Sequence, residues 1–467
     1  MIHHARFLGL AALLAATGCA LRPQTPPGPP PPTGVQQAWV QAVAGPGWVV
    51  RALTGDACPT MRWSGGAAAM QERATPAEEP APPGNAQPES KPTHFVLRAC
   101  EAPWPATAAS LQVGGITLNA PAPEIRRIVV MGDTGCRLKA SARDFQPCND
   151  PAGWPFPRVL ARALAHKPDL VVHVGDYHYR ESPCPEAPAV AAAGGTSVAC
   201  ANSPWGYGDD AWQADFFQPA RALLAAAPWV FVRGNHEACA RAGQGWLRYL
   251  DPATGPARHC GAEVNGVNDS DFTEPFAVPL SPRSQLIVFD SSEIGSTTPA
   301  VGSPAWVRWR AQLDSVATLT GRSAQSLFVS HHPSLAFSPS ASGQPGPVHS
   351  GLTPLLQDAF GPRLLPPGVL ATVHGHLHIH EALGFATNQP ASLVIGNGGS
   401  ASSGRIDPGA ALRAEPQPGA RLETFQSHSD FGFALLTATP QGWLVHAFDT
   451  LGQPQATCAL AGQKLRC

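Results

Sequence analysis

The sequence predicts an α/β sandwich with a small β-rich module ahead of it, and three observations lead there. Near-continuous apolar runs, the texture of strands buried on both faces, recur from residue 128 onward. Amphipathic, helix-like stretches at residues 158–166, 214–226 and 306–317 separate them. Before residue 121 the texture changes to short β-like stretches, at 48–52, 93–98 and 110–113, divided by turn-rich segments.

Taken from the N-terminus, an apolar run at residues 7–16 follows a basic start and leads into Thr17-Gly18-Cys19. That layout is a secretory signal, and it is too short to span a bilayer. Its end resembles the lipobox of bacterial lipoproteins, which implies cleavage before Cys19, a lipid on that residue, and export to the bacterial periplasm or outer membrane. The proline-rich stretch that follows suits an extended tether over residues 19–36. Residues 37–121 then make the β-rich domain, and Pro121-Ala122-Pro123 marks the passage to the domain at 122–467.

Eleven cysteines are present, so setting Cys19 aside leaves an even ten in a chain read as exported. Their spacing suggests local pairs: Cys58 with Cys100, Cys136 with Cys148, Cys184 with Cys200, Cys239 with Cys260, and Cys458 with Cys467. No Cys-x-x-Cys occurs, which argues against a structural zinc site. With 31 basic against 33 acidic residues the chain has no basic footprint for nucleic acid.

In the larger domain a β-α-β unit opens with the runs 128–131 and 170–174 around the helix at 158–166. Further runs stand at 229–232, 286–289, 327–329 and 369–373, and residues 432–436 and 442–447 read as closing antiparallel strands. Five of these runs end in metal-binding side chains: Gly132-Asp133-Thr134-Gly135, Gly175-Asp176-Tyr177-His178-Tyr179, Gly234-Asn235-His236-Glu237, Ser330-His331-His332-Pro333 and Gly375-His376-Leu377-His378. Any one of them alone reads as an ordinary turn or a packed histidine. Five in one order, each at the carboxyl end of a strand, describe a metal site.

These blocks resemble the calcineurin-like metallophosphoesterase superfamily, and within it the purple acid phosphatases. Gly-Asp, Gly-Asn-His and Gly-His-x-His are the shared blocks, while Gly-Asp-x-Gly and Gly-Asp-x-x-Tyr mark the purple subgroup. The resemblance runs over about residues 126–447 and implies an αββα sandwich of two mixed sheets. Many relatives have a histidine in the first block where this chain has Gly135, and Tyr179 compensates here.

The resemblance further implies that Asp133, Asp176, Tyr179 and His378 hold one metal and that Asn235, His331 and His376 hold the second, with Asp176 bridging. Two carboxylates and a phenolate suit Fe3+, whereas imidazoles and an amide suit Zn2+, Mn2+ or Fe2+. Two ions about 3.5–4 Å apart clamp the attacking and leaving oxygens of an in-line displacement, so the expected reaction is attack of a metal-bridged hydroxide on a phosphomonoester. Phosphodiesters or nucleotides are the alternative substrates of the same centre, and a non-catalytic surface lipoprotein is the alternative of another class.

His236 follows Asn235 and is placed as transition-state stabiliser or general acid. His349 stands where mammalian-type relatives have a substrate-facing histidine, with a surface role the alternative. His331 is taken as the ligand over His332 because the family ligand lies two residues before a proline. Strand alternation puts His374, His376 and His378 on one face, with His374 set back; His374 and His380 are read as structural, and His173 and His178 as packing residues.

Overall fold

The strand Arg127–Met131 shows how the layers arise. With a two-residue period it sends Ile128 and Val130 to one face and Val129 and Met131 to the other, and all four are buried. In the computed structural model, residues 32–45, 47–82, 91–185, 199–348 and 350–467 are described. The signal, residues 19–31 of the tether and His349 lie outside the described residues.

Two mixed sheets face each other. The first has eleven strands, in the order Lys464–Arg466, Pro454–Ala461, Gly442–Asp449, Gly432–Thr439, Arg127–Met131, Leu170–His173, Trp229–Phe231, Val35–Ala42, Trp48–Thr54, Arg98–Pro103 and Gln71–Ala74. The second has seven, in the order Phe276–Ser281, Ser284–Val288, Gln325–Val329, Val369–His374, Ala391–Ile395, His380–Phe385 and Leu422–His428. Between them Val130, Val172 and Val230 meet the side chains of Leu286, Leu327 and Val373 in one apolar core.

Each outer face carries helices. Phe156–Ala165 and Gln218–Ala226 cover the first sheet, where Val129 and Val171 join Val159, Phe216 and Leu223. Pro304–Thr320 and Leu352–Phe360 cover the second, where Ile287 and Phe328 join Trp309, Leu313 and Leu355. The start of Pro304–Thr320 follows from local chemistry: proline leads, and the Ser303 hydroxyl accepts the Trp306 N–H at 3.2 Å. The result is the αββα sandwich that the resemblance implies.

Two features differ from the reading of the sequence. The helix expected at 214–226 starts at Asp209 and passes through a π-helical turn, Gln213–Phe217, before Gln218–Ala226. The N-terminal strands also join the first sheet, because Val35–Ala42 pairs in parallel with Trp229–Phe231 through Gln41 and Trp229. A four-stranded sheet, which includes Thr60–Trp63 and Ser110–Val113, packs on this extension through Met61, Leu111 and Val113 against Ala38, Val50 and Ala52.

Buried arginines tie the extension to the segment after the third metal block. Arg51 donates to the carbonyls of Tyr249 and Asp251 at 2.8 and 2.7 Å, Arg73 donates to that of Ala253 at 2.7 Å, and Glu101 accepts from Arg51 Nε at 2.9 Å. All five expected disulfides are formed: Cys58–Cys100, Cys136–Cys148, Cys184–Cys200, Cys239–Cys260 and Cys458–Cys467. Such a set belongs to an oxidising, exported environment. No helix among the described residues is long and apolar enough to cross a membrane.

Candidate metal centre

Every metal block sits just past the carboxyl end of a strand: Asp133 after Arg127–Met131, Asp176 and Tyr179 after Leu170–His173, Asn235 after Trp229–Phe231, His331 after Gln325–Val329, and His376 and His378 after Val369–His374. The last strand stops at His374, so the two following histidines are not placed by strand alternation; a bend with His376 at φ 71° turns them inward. Asp133 and Asp176 are left-handed as well, at φ 55° and 57°. Such backbone costs on the order of 1–3 kcal/mol per residue and persists where the surroundings fix it.

The side chains form two groups that meet at Asp176. In the first, the Tyr179 hydroxyl lies 2.7 Å from Asp176 Oδ2, 3.1 Å from Asp133 Oδ1 and 2.7 Å from His378 Nε2. In the second, His331 Nε2 and His376 Nδ1 each lie 3.1 Å from Asn235 Oδ1. His331 Nε2 also stands 3.2 Å from Asp176 Oδ2. Backbone carbonyls orient the rings, since Val174 O takes His331 Nδ1 at 2.8 Å and Ala401 O takes His378 Nδ1 at 2.6 Å, leaving both Nε2 atoms toward the centre.

Electrostatics explain what such a cluster lacks. Asp133 and Asp176 are fully buried, and among the described residues neither has a lysine or arginine within ion-pair distance. Burial raises Asp133, and the charge of Asp176 adds to that. Asp176 is held well below the usual carboxylate range, since His331 and His236 outweigh its burial. His331 in turn is pushed up to about 9 by Asp176 and Asp133 against its own burial. Burial and the two carboxylates raise the Tyr179 phenol well above its ordinary value, so without a cation it stays protonated and donates. Two buried carboxylates, a phenol, an amide oxygen and three imidazoles that call for positive charge fit a pair of metal ions. Asp133, Asp176 and His378 form one compact candidate metal group, and His331, His332 and His376 another.

A family model for calcineurin-like phosphoesterases matches residues 126–380, which spans all five blocks. The chain belongs to that family. Among solved structures, a purple acid phosphatase from yellow lupin (Lupinus luteus) seeds is similar, with a TM-score of 0.54 and 14% identity over 91% of this chain and 74% of that one. A structure of PhoD is similar with a TM-score of 0.50 and 12% identity, over 92% of this chain and 91% of that one. At these identities the likeness is one of fold. No curated protein sequence matches this chain.

Two residues without an assigned role in the sequence brace the centre of this phosphoesterase. Glu237, fully buried, accepts four backbone N–H groups, from Asp176, Gly234, Tyr177 and His178 at 2.9–3.2 Å. Burial and the charge of Asp176 push its carboxyl up to about 8, while those donors pull the other way. Asp215, on the π-helical turn, accepts from Cys136 N at 2.9 Å, Tyr179 N at 2.8 Å and Arg180 Nε at 2.6 Å. Only glycine fits at 135, because a Cβ there would stand 2.6 Å from Tyr177 O and 2.9 Å from Asp215 Oδ2. The loop carrying Tyr179 fills the space that a histidine at 135 would need.

The remaining histidines of the phosphoesterase separate clearly. His236 is buried with its ring centroid 3.9 Å from that of Tyr179; its Nδ1 reaches the His178 carbonyl at 3.0 Å and Arg241 Nη2 stands 2.7 Å from Nε2. His332 lies beside the centre: Ser291 Oγ holds its Nδ1 at 3.1 Å, and its ring lies 4.3 Å from that of His376. His173 is held by Thr134 Oγ1 at 2.9 Å and stacks on Tyr177, and His374 meets Ser330 Oγ at 3.0 Å. His178 and His380 are buried, the latter beside His428.

Proposed function

We propose that this phosphoesterase hydrolyses phosphomonoesters at two metal ions, one held by Asp133, Asp176, Tyr179 and His378 and the other by Asn235, His331 and His376, with Asp176 shared. The observation that supports this most is the position of Asp176, whose Oδ2 lies 2.7 Å from the Tyr179 hydroxyl and 3.2 Å from His331 Nε2. A single carboxylate oxygen thereby faces both donor groups. Fe3+ in the first and Zn2+, Mn2+ or Fe2+ in the second is the pairing that the donors favour. Bound there, two ions polarise the phosphoryl group and lower the pKa of water.

The chain's own residues do the rest. Asp133 and Asp176, pinned in left-handed backbone, hold their carboxylates toward one point. His236 lines a recess of about 360 Å³ with Asp176, Tyr179, Asn235 and Arg137. From that wall its ring faces the phosphoryl group as transition-state stabiliser or general acid. Exported lipoprotein status, with the lipid on Cys19 and residence in the bacterial periplasm or outer membrane, is part of the same proposal. The mass of the mature N-terminal peptide tests it, because an unlipidated Cys19 would refute the anchor.

The visible spectrum and metal content of wild type and Tyr179→Phe test the centre. A charge-transfer band that accompanies iron and vanishes in the variant, together with phosphatase activity, is expected. A colourless protein with divalent metals only would remove the Tyr179–iron assignment. Monoester and diester substrates of one alcohol, assayed side by side, decide between the two substrate classes.

A further inference from the structure

Ser291 is fully buried, and among the described residues its hydroxyl meets two hydrogen-bonding groups, both on His332. It accepts the His332 backbone N–H at 3.0 Å, and its Oγ lies 3.1 Å from His332 Nδ1. A buried hydroxyl proton needs an acceptor, and Nδ1 is the acceptor within reach. Ser291 therefore donates to Nδ1, which places the proton of the neutral ring on Nε2.

The same ring borders the second donor group. A ring nitrogen of His332 lies within 4.8 Å of one on His331 and one on His376. His332 also lines a recess of about 370 Å³, together with Asn235, His376 and residues 292–296. Ser291 is not part of that lining, so the Nδ1 edge is turned into the protein and the Nε2 edge toward the recess. A protonated Nε2 has no lone pair for a metal ion, and it has a hydrogen to donate. Asn235 and His376 are shared with the recess of about 360 Å³ that His236 lines, so the two histidines reach the centre from different spaces.

We propose that His332 binds substrate in this phosphoesterase, donating its Nε2–H to a phosphoryl oxygen beside Asn235, His331 and His376. The assignment rests on the phosphoesterase reading above. In the reaction, the oxygen of water forms a P–O bond, the ester P–O bond breaks, and one proton of the water ends on the departing alcohol. His332 keeps its own proton throughout, and its hydrogen bond strengthens as charge gathers on the phosphoryl oxygen. Ser291 is a positioning residue, which acts through Nδ1 by fixing the tautomer and the direction of the ring.

The test reads metal content, inhibition by inorganic phosphate and kcat/KM for phenyl phosphate in the metal-loaded full chain, as wild type, His332→Phe, His332→Gln, Ser291→Ala and the double variant of Ser291→Ala with His332→Phe. His332→Phe is expected to keep both ions, to bind inorganic phosphate about tenfold more weakly and to lose on the order of 100-fold in kcat/KM. His332→Gln, whose amide still donates, is expected to retain part of both. Ser291→Ala is expected to lose less, and the double variant no more than His332→Phe, because Ser291 acts through the ring. Should His332→Phe not fold, nitrogen NMR of the zinc-loaded wild type decides, with Nδ1 of His332 expected unprotonated and Nε2 protonated, the signals being identified by their absence in His332→Gln. Loss of one ion in His332→Phe, or a metal-bound Nε2 in the spectrum, makes His332 a ligand and overturns the assignment. Both ions retained, with phosphate binding and turnover within about twofold of wild type, makes it a packing residue and overturns the assignment while the phosphoesterase reading stands. A metal-loaded wild type that neither cleaves phenyl phosphate nor binds inorganic phosphate overturns that reading and the assignment with it.

Discussion

Glu237 Oε2 accepts the backbone N–H of Asp176 at 3.0 Å, and through Gly234 N at 3.1 Å the same oxygen holds the turn that presents Asn235. The loop with Asp176 is thus clamped to the loop with Asn235. In Glu237→Gln an amide replaces one acceptor oxygen and faces N–H donors, leaving them unpaired at a cost of about 1–3 kcal/mol each. We expect a lower denaturation midpoint and roughly 10–100-fold weaker metal retention in chelator competition. Unaltered retention would mean that the clamp is not needed to hold the centre.

Asp215 and Arg180 form a buried ion pair at 2.6 Å, and the same carboxylate takes Tyr179 N at 2.8 Å. Asp215→Ala strands the guanidinium and frees the loop. Urea unfolding should show a loss of about 3–5 kcal/mol, and any iron charge-transfer band should shift or fade. A stable variant with an unchanged band would separate Asp215 from the placement of Tyr179.

Metal removal should destabilise the fold as well as abolish activity. Stripping the ions leaves Asp133 and Asp176 buried with only histidine and tyrosine partners. At a ligand concentration of 100 times Kd, one ion contributes about 2.7 kcal/mol. Calorimetry of chelated and reloaded protein should show a melting temperature that rises with the concentration of added metal, and a flat response would contradict the site.

Asp209 gives a pH dependence away from the centre. Burial pushes its carboxyl up to about 6, with hydrogen bonds from Tyr249 and Leu97 N opposing the rise. Because the folded value lies above the ordinary 3.8, the folded state binds this proton more tightly than the unfolded chain does. Its contribution is therefore most favourable below pH 4, declines through pH 4–6 and is flat above, a span of at most about 3 kcal/mol. Urea midpoints of wild type and Asp209→Asn across pH 4–7 should differ by this slope, and parallel curves would contradict it.

The metal blocks and strands were legible because chemistry and burial act locally. A sheet buried on both faces needs apolar runs such as Ile128-Val129-Val130-Met131, and a metal centre needs Asp, Asn, Tyr and His where those runs end. Glu237 and Asp215 escaped because their function is made by distant contacts. Asp215 lies 36 positions from the Tyr179 N–H that it holds, and on a helix it reads as one more polar residue. A histidine pair such as His331-His332 offers the same chemistry at both positions, and the structure brings both rings near His376. The pairing of Gln41 with Trp229 joins residues whose neighbours give no sign of each other.

That pairing fixes what can be removed from this protein. Val35–Ala42 covers the hydrogen-bonding edge of Trp229–Phe231, the strand that leads directly into Asn235. A shortened protein starting at residue 122 would keep every metal block yet bare that edge, giving another molecule a template on which to add a strand. It would also forfeit Arg51 and Arg73, the grips on residues 249–253. The stretch before residue 122 holds none of the proposed ligands, but the third metal block depends on it for a sealed flank, so trimming the chain down to its family-matched part invites clumping before it yields a smaller enzyme.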